Sequence, residues 1–176
     1  MFDSVNNKLR AAQYFLEQLG ELEKMAGDLA AIDSFLMRVN LDGFFFEIIS
    51  AKDFFLQEIN DNYGGGLTGN DATKLNKLLA SPLTQNAKDQ VRKIQRLISR
   101  KDTWLWRLNN YRNSATHRTL IGKHINAQLP ARTVKVYLFL DPDESSKGHL
   151  NIEIMPYCEG ALKQMTQFLE ELYSQL

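Results

Sequence analysis

Arg112-Asn113-Ser114-Ala115-Thr116-His117 is the segment on which the reading of this 176-residue chain turns. At about 100° per residue, a helix through it sets Asn113 and His117 one turn apart on one face and Arg112 on the adjoining flank. Three polar side chains can then converge on one point. Their types suit a phosphodiester: a guanidinium grips phosphate oxygens bidentately, and an imidazole with an ordinary pKa of about 6.5 moves protons at neutral pH. The amide can orient either partner, and the imidazole has the reach of a general acid or base. Ser114 and Ala115 are small, which lets another surface approach closely. The same residues also read as a satisfied polar cluster that ties helices together.

Working outward, Trp104, Leu105 and Leu108 continue an apolar helical spacing after a restart at Asp102. Trp104 and Trp106 alternate, so one helix buries at most one of them comfortably. The other is a candidate for a dimer interface or for a place near RNA, and the C-terminal helix is a further interface candidate. Upstream, Thr84 is placed to cap a helix whose Val91, Ile94, Leu97 and Ile98 face inward. In that helix Lys88, Arg92, Arg96 and Arg100 recur every fourth residue and form a slowly drifting basic stripe. From Lys88 to Lys123 there are ten Lys or Arg against Asp89 and Asp102, a local net of +8 over 36 residues in a chain with 21 basic and 21 acidic side chains. Charge concentrated beside a polar motif is the footprint of a polyanion site, because phosphate contacts supply most non-specific affinity for nucleic acid. On its own the stripe reads as a solvated helix face; together with the motif it makes Lys88, Arg92, Arg96, Arg100 and Arg118 the candidate RNA-binding residues.

Towards the N-terminus, Leu9, Ala12, Leu16 and Leu19, then Leu29, Ile32, Leu36 and Val39, mark two amphipathic helices or one helix kinked near Gly20 and Gly27. Phe45, Ile48, Ile49, Phe55, Leu56 and Ile59 predict a further helix from Phe44, capped at Asp42 and ending at Gly64. The aromatic run Phe44, Phe45, Phe46, Phe54 and Phe55 reads as bundle core. Gly64-Gly65-Gly66-Leu67-Thr68-Gly69 lacks the Lys-Ser/Thr ending of a phosphate loop, so it reads as a helix stop and flexible loop. Asn70 or Asp71 is then the N-cap of a short helix that closes at Ser81-Pro82.

Beyond the motif, Thr133 to Leu140 and the alternation around Leu150, Ile152 and Ile154 predict a β-hairpin over about 133–155. Leu162, Met165, Leu169, Leu172 and Leu176 predict a C-terminal helix over about 159–175. The expected architecture is one all-α helical domain over residues 1–176, with the hairpin before its last helix. Cys158 is the single cysteine, which excludes an intrachain disulfide and fits a reducing compartment. The first residues show no basic region followed by an apolar stretch, and no run approaches the roughly 18 apolar residues of a membrane span. A soluble, cytoplasmic protein without membrane contact is expected. His124 and His149 have no second ligand at metal spacing, and no Gly-x-Ser-x-Gly elbow is present, so neither metal nor cofactor is expected.

The segment Arg112 to His117 resembles the R-x4-6-H motif of the HEPN superfamily, in the form where an Asn follows the Arg and a His closes the motif. That resemblance implies a HEPN-like up-and-down helical bundle and RNA as substrate. Many such proteins are metal-independent endoribonucleases or toxins of toxin–antitoxin and phage-defence systems, and they commonly dimerise so that two motifs form one cleft. Carried over by position, Arg112 and His117 are the catalytic pair and Asn113 the orienting polar residue. The implied partners are RNA, a second copy of the chain and, for a toxin, an antitoxin protein. Some toxin members carry a Tyr two residues after the His; Thr119 stands there in this chain, so regulation through such a tyrosine is not implied. The alternative within the same resemblance is a noncatalytic HEPN module that binds RNA or a protein partner.

Overall fold

A computed structural model describes residues 3–25, 34–117, 123–128, 133–142 and 144–176. Among them are six helices: α1 (Asp3–Met25), α2 (Ser34–Asn62), α3 (Leu75–Ala80), α4 (Gln85–Ser99), α5 (Trp104–His117) and α6 (Ile154–Ser174). Strands β1 (Lys123–Gln128), β2 (Thr133–Phe139) and β3 (His149–Glu153) lie between α5 and α6. The molecule is thus mostly helical with an antiparallel β element before its last helix, as the apolar periodicities predict.

Helix α2 organises the rest. Leu41, Phe44, Phe45, Ile48, Ile49, Phe55, Leu56 and Ile59 are fully buried and turn one broad face inward. Helix α1 lies antiparallel to it, with Lys8 paired to Glu47 at 2.8 Å and Ser4 donating to Glu58. Tyr173 of α6 donates to the other oxygen of Glu58, so one carboxylate joins α1, α2 and α6. Helix α5 runs antiparallel to α6, with Trp104 edge-on to Phe168 at 5.5 Å and Tyr111 edge-on to Tyr157 at 6.0 Å.

The first two helices divide differently from the sequence reading. Asp42 is not a cap: α2 begins at Ser34 and runs through it, because Met37 and Leu41 already belong to the buried stripe that continues into Phe44 and Ile48. The turn that includes Leu36 and Val39 is therefore the start of α2. Helix α1 passes Gly20 unbroken, and Leu29, Ile32 and Gly27 lie outside the described residues. Asp71 does not cap α3 either, nor does Asn70; Lys74 precedes that helix without a side-chain cap, and Asp71 pairs with Lys74 at 2.6 Å. The glycine-rich loop is held by Asn60, whose amide donates to the Leu67 carbonyl and accepts from the Leu67 N–H, both at 2.9 Å. Thr84 does cap α4, accepting from the Ala87 N–H at 3.4 Å. Asp102 has φ of +68°, and the cap of α5 is Thr103, whose Oγ1 accepts from the Trp106 N–H at 3.2 Å.

The hairpin is the β2–β3 pair of a three-stranded antiparallel sheet of order β1-β2-β3. Strand β1, Lys-His-Ile-Asn-Ala-Gln, has one β-branched residue and so gives little strand signal. Helix α6 starts at Ile154, earlier than the predicted 159, because Pro156 sits in its first turn where a missing N–H breaks no helical hydrogen bond.

Close packing of α1 on α2 depends on Gly43. A Cβ there would lie 2.6 Å from Cε1 and Cζ of Phe15, well inside van der Waals contact. Gly43→Ala gains up to about 1 kcal/mol of helix propensity but overpacks this contact at a cost of about 1–3 kcal/mol. The expected net result is a lower urea midpoint with an unchanged slope, measured by circular dichroism.

Candidate functional site on helix α5

Helix α5 is anchored on one side, and the other side chains described on it are half-buried. Tyr111 is fully buried, lies 4.8 Å from the Phe45 ring and donates its hydroxyl to the Phe139 carbonyl of β2 at 2.6 Å. Burial pushes its phenol pKa up, so it stays a neutral donor. Ser114, three residues on, is also fully buried, and Ala115 packs on the core. The two small residues therefore fill space inside the fold of the chain; Ser114 offers no surface for a second chain to approach. Arg112 and Asn113 fall on the remaining flank and are half-buried.

Arg112 reaches α2. Its Nη2 lies 3.5 Å from Oδ2 of Asp53, and Oδ1 of the same carboxylate lies 2.6 Å from Nζ of Lys52. Asp53 and Arg112 keep about a quarter of their side-chain surface, at 27% and 23%, whereas Lys52 keeps 6%. The motif arginine thus sits at the mouth of a polar cluster whose floor is a buried ammonium. Sequence reasoning missed both α2 residues. The available signal was that Lys52 takes a core place in the repeat Leu41, Phe45, Ile48, Lys52, Leu56, Ile59, where a charge demands a partner.

His117 is the last residue of α5, one helical turn beyond Asn113. The side chains of Thr116 and His117, and all of Arg118 and Thr119, lie outside the described residues. Asn113 and His117 hence share a face by helical position alone.

The basic stripe is on a different helix. Ala87, Gln90, Val91 and Ile94 bury one face of α4, and Lys88, Arg92, Arg96 and Arg100 drift across the outward half. Arg96 and Arg100 are exposed, while Arg92 pairs with Asp89 at 2.7 Å. Nearby Lys93 is taken by Glu171 of α6 at 3.5 Å. The local excess of +8 is accordingly reduced by acids brought in from outside the segment, Asp53 and Glu171.

The aromatic side chains also divide. Phe44, Phe45 and Phe55 are core, but Phe46 is 43% exposed with the Lys8 ammonium 5.8 Å from its ring centre. Trp104 and Trp106 are each half-buried, and Trp104 is held against Phe168. Among the described residues the exposed large apolar side chains are Phe35, Leu36, Val39 and Phe46 on α2, Tyr14 on α1, Leu140 just after β2 and Ile152 in β3.

Other chemistry is weakly supported. Cys158 is fully buried and its thiol pKa is pushed up, so it is no nucleophile. His149 lies 4.7 Å from the Tyr137 ring, and its Nδ1 is 2.8 Å from the Leu150 carbonyl. Among the described residues no group of three His, Cys, Asp or Glu side chains could hold a metal, and no helix is long and apolar enough to cross a membrane. A groove of about 1060 Å³ between α1 and α6 includes neither Arg112 nor Lys52.

The Lys52–Asp53–Arg112 geometry makes the two ion pairs unequal. Arg112→Ala removes the longer of the two contacts and leaves Asp53 paired with Lys52, so it is expected to cost less than Asp53→Ala. Asp53→Ala strands the buried Lys52 ammonium and is expected to cost about 3 kcal/mol or more. Urea denaturation of both variants checks the order, and equal losses would contradict it.

Comparisons of the chain with protein-family models, with curated proteins and with solved structures found no match. The functional reading therefore rests on the residues and their geometry.

Proposed function

We propose that this chain is a HEPN-type endoribonuclease that needs no metal and works as a homodimer. The observation that carries the reading is the placement of Arg112 and Asn113. A helix packed into the core through Tyr111 and Ser114 holds them on its half-buried flank, and the motif histidine follows Asn113 by one turn on the same helix. A guanidinium so placed would stabilise the charge that builds on a pentacoordinate phosphorus, and His117 would move the proton of a ribose 2′-hydroxyl. Asn113 would orient the phosphate or the imidazole. The exposed Arg96 of α4 and Arg100 just after it would draw RNA in by long-range attraction.

One observation favours a second reading. Arg112 already has an internal carboxylate at Asp53, as expected of a polar cluster in a noncatalytic module that binds RNA or a protein partner. The two readings differ in whether bonds are cut. In EDTA, a labelled single-stranded RNA should be cleaved by wild type, with at least about a 100-fold loss in His117→Ala and in Arg112→Ala, the scale of removing one acid–base group. Binding without cutting would favour the module, and cleavage that vanishes with chelator would sink the metal-free mechanism.

Acid–base cleavage uses a base for the nucleophile and an acid for the leaving oxygen, and one motif supplies one imidazole. A twofold axis would supply both from one sequence. The apolar surface for such a pairing is on α2 rather than at the tryptophans: Phe35, Val39 and Phe46 share one helix face, and Asp53 follows Phe46 by two turns, about 10 Å along the same face. A second copy seated on that stripe would bring its own motif beside Arg112. Phe35→Ser with Phe46→Ser should convert a dimer into a monomer by light scattering and abolish cleavage. A wild type that is monomeric at assay concentration and fully active would refute the pairing. If the chain is a toxin, its antitoxin partner would have to cover or modify this face.

A further inference from the structure

We propose that Lys52 is a positioning residue for Arg112: by holding Asp53, the buried ammonium keeps the guanidinium available to a phosphate group. The inference rests on the reading of Arg112 as a phosphate contact.

Three features of the cluster carry it. Lys52 is 5% exposed and stands where the α2 repeat otherwise places Leu41, Phe45, Ile48, Leu56 and Ile59. Neighbouring side chains on a helix diverge by about 100°, so the lysine chain has to curl back to reach Asp53. It nevertheless does so at 2.6 Å, against 3.5 Å for Arg112 on the other oxygen. Attraction rises with proximity and with exclusion of water, and both favour Lys52. Asp53 is consequently neutralised from below, and Arg112 holds it at the outer, longer and wetter contact.

That division decides what a phosphate meets at Arg112. With Lys52 present, an incoming anion displaces a carboxylate whose charge is already balanced. Without the ammonium, both carboxylate oxygens would turn to the guanidinium in a bidentate fork, an internal competitor for phosphate. Lys52 would thus raise affinity for a ligand that it does not touch. A charge placed there only to knit α2 into the core would have no such effect, since a well-packed apolar side chain does that as well.

The test uses the full chain in a His117→Ala background, which prevents cutting, with single-stranded RNA and inorganic phosphate as probes. Lys52→Met should weaken binding of both by about tenfold or more, the scale of one hydrogen-bonded charge pair. Lys52→Met with Asp53→Asn should restore affinity to within about threefold of the parent, because the competitor loses its charge along with its partner. Nuclear magnetic resonance supplies a signature that a merely structural role would not move: rotation of the Arg112 guanidinium should slow in Lys52→Met and recover in the double variant. Should Lys52→Met not fold, Lys52→Gln removes the same charge and keeps a polar donor. Loss of binding in Arg112→Ala with unchanged binding in Lys52→Met would overturn the role of Lys52 alone. An Arg112→Ala variant that binds both probes like its parent would take down the phosphate reading, and the role of Lys52 with it.

Discussion

Everything in this fold answers to the burial of α2. A helix of 29 residues exposes more surface than one neighbour can cover, and here α1, α5 and α6 each take a share of its apolar face. Phe44 and Phe45 stack edge to face at 5.2 Å, Phe45 meets Tyr111 of α5, and Phe55 meets Tyr173 of α6 at 4.8 Å. Such aromatic contacts add to the stabilisation from the area they bury, and they join α5 and α6 to α2. The sheet is tied into the same arrangement, because the Tyr111 hydroxyl ends on the β2 backbone at Phe139.

This packing leaves one strip of α2 outside. Phe35, Val39 and Phe46 occupy it near the N-terminus, and Asp53 continues it. Because α5 is fixed on α2 through Tyr111, the next residue, Arg112, is delivered to that strip and meets Asp53. The polar cluster is therefore a consequence of how the core is packed. Lys52, one residue from Asp53, points into the core and turns the cluster into a shared-carboxylate arrangement with one wet and one dry cation. In the proposed dimer, the apolar strip and the motif are parts of one surface.

The helices were legible wherever apolar spacing persisted for several turns, as in α1, α4 and α6. Thr84 as the cap of α4 and Pro82 as the end of α3 were legible from local chemistry alone. Elsewhere a local signal lost to a distant contact. Asp42 resembles a cap, yet the stripe on either side of it carries α2 through, with Phe15 of α1 filling the space that Gly43 leaves. Strand β1 has almost no intrinsic strand preference and is paired with β2 from Lys123 opposite Leu138 to Gln128 opposite Thr133. A run of three phenylalanines cannot all face one way at about 100° per residue, and Phe46 is the one left out.

For the candidate site, the sequence carried the motif and its helical face but not its surroundings. Proximity in sequence is a poor guide to which charges compensate each other, since Arg112 and Lys93 find their acids 59 and 78 positions away, at Asp53 and Glu171. The basic segment thereby divides between two helices. Arg96 on α4 and Arg100 just after its end are exposed, and exposed charge acts over a Debye length and is weakened by salt. At Arg112 the charge is half-buried and works through a short-range partner, which salt screens far less. Steering and grip, which a charge count merges into one number, are in the proposed site tasks for separate helices.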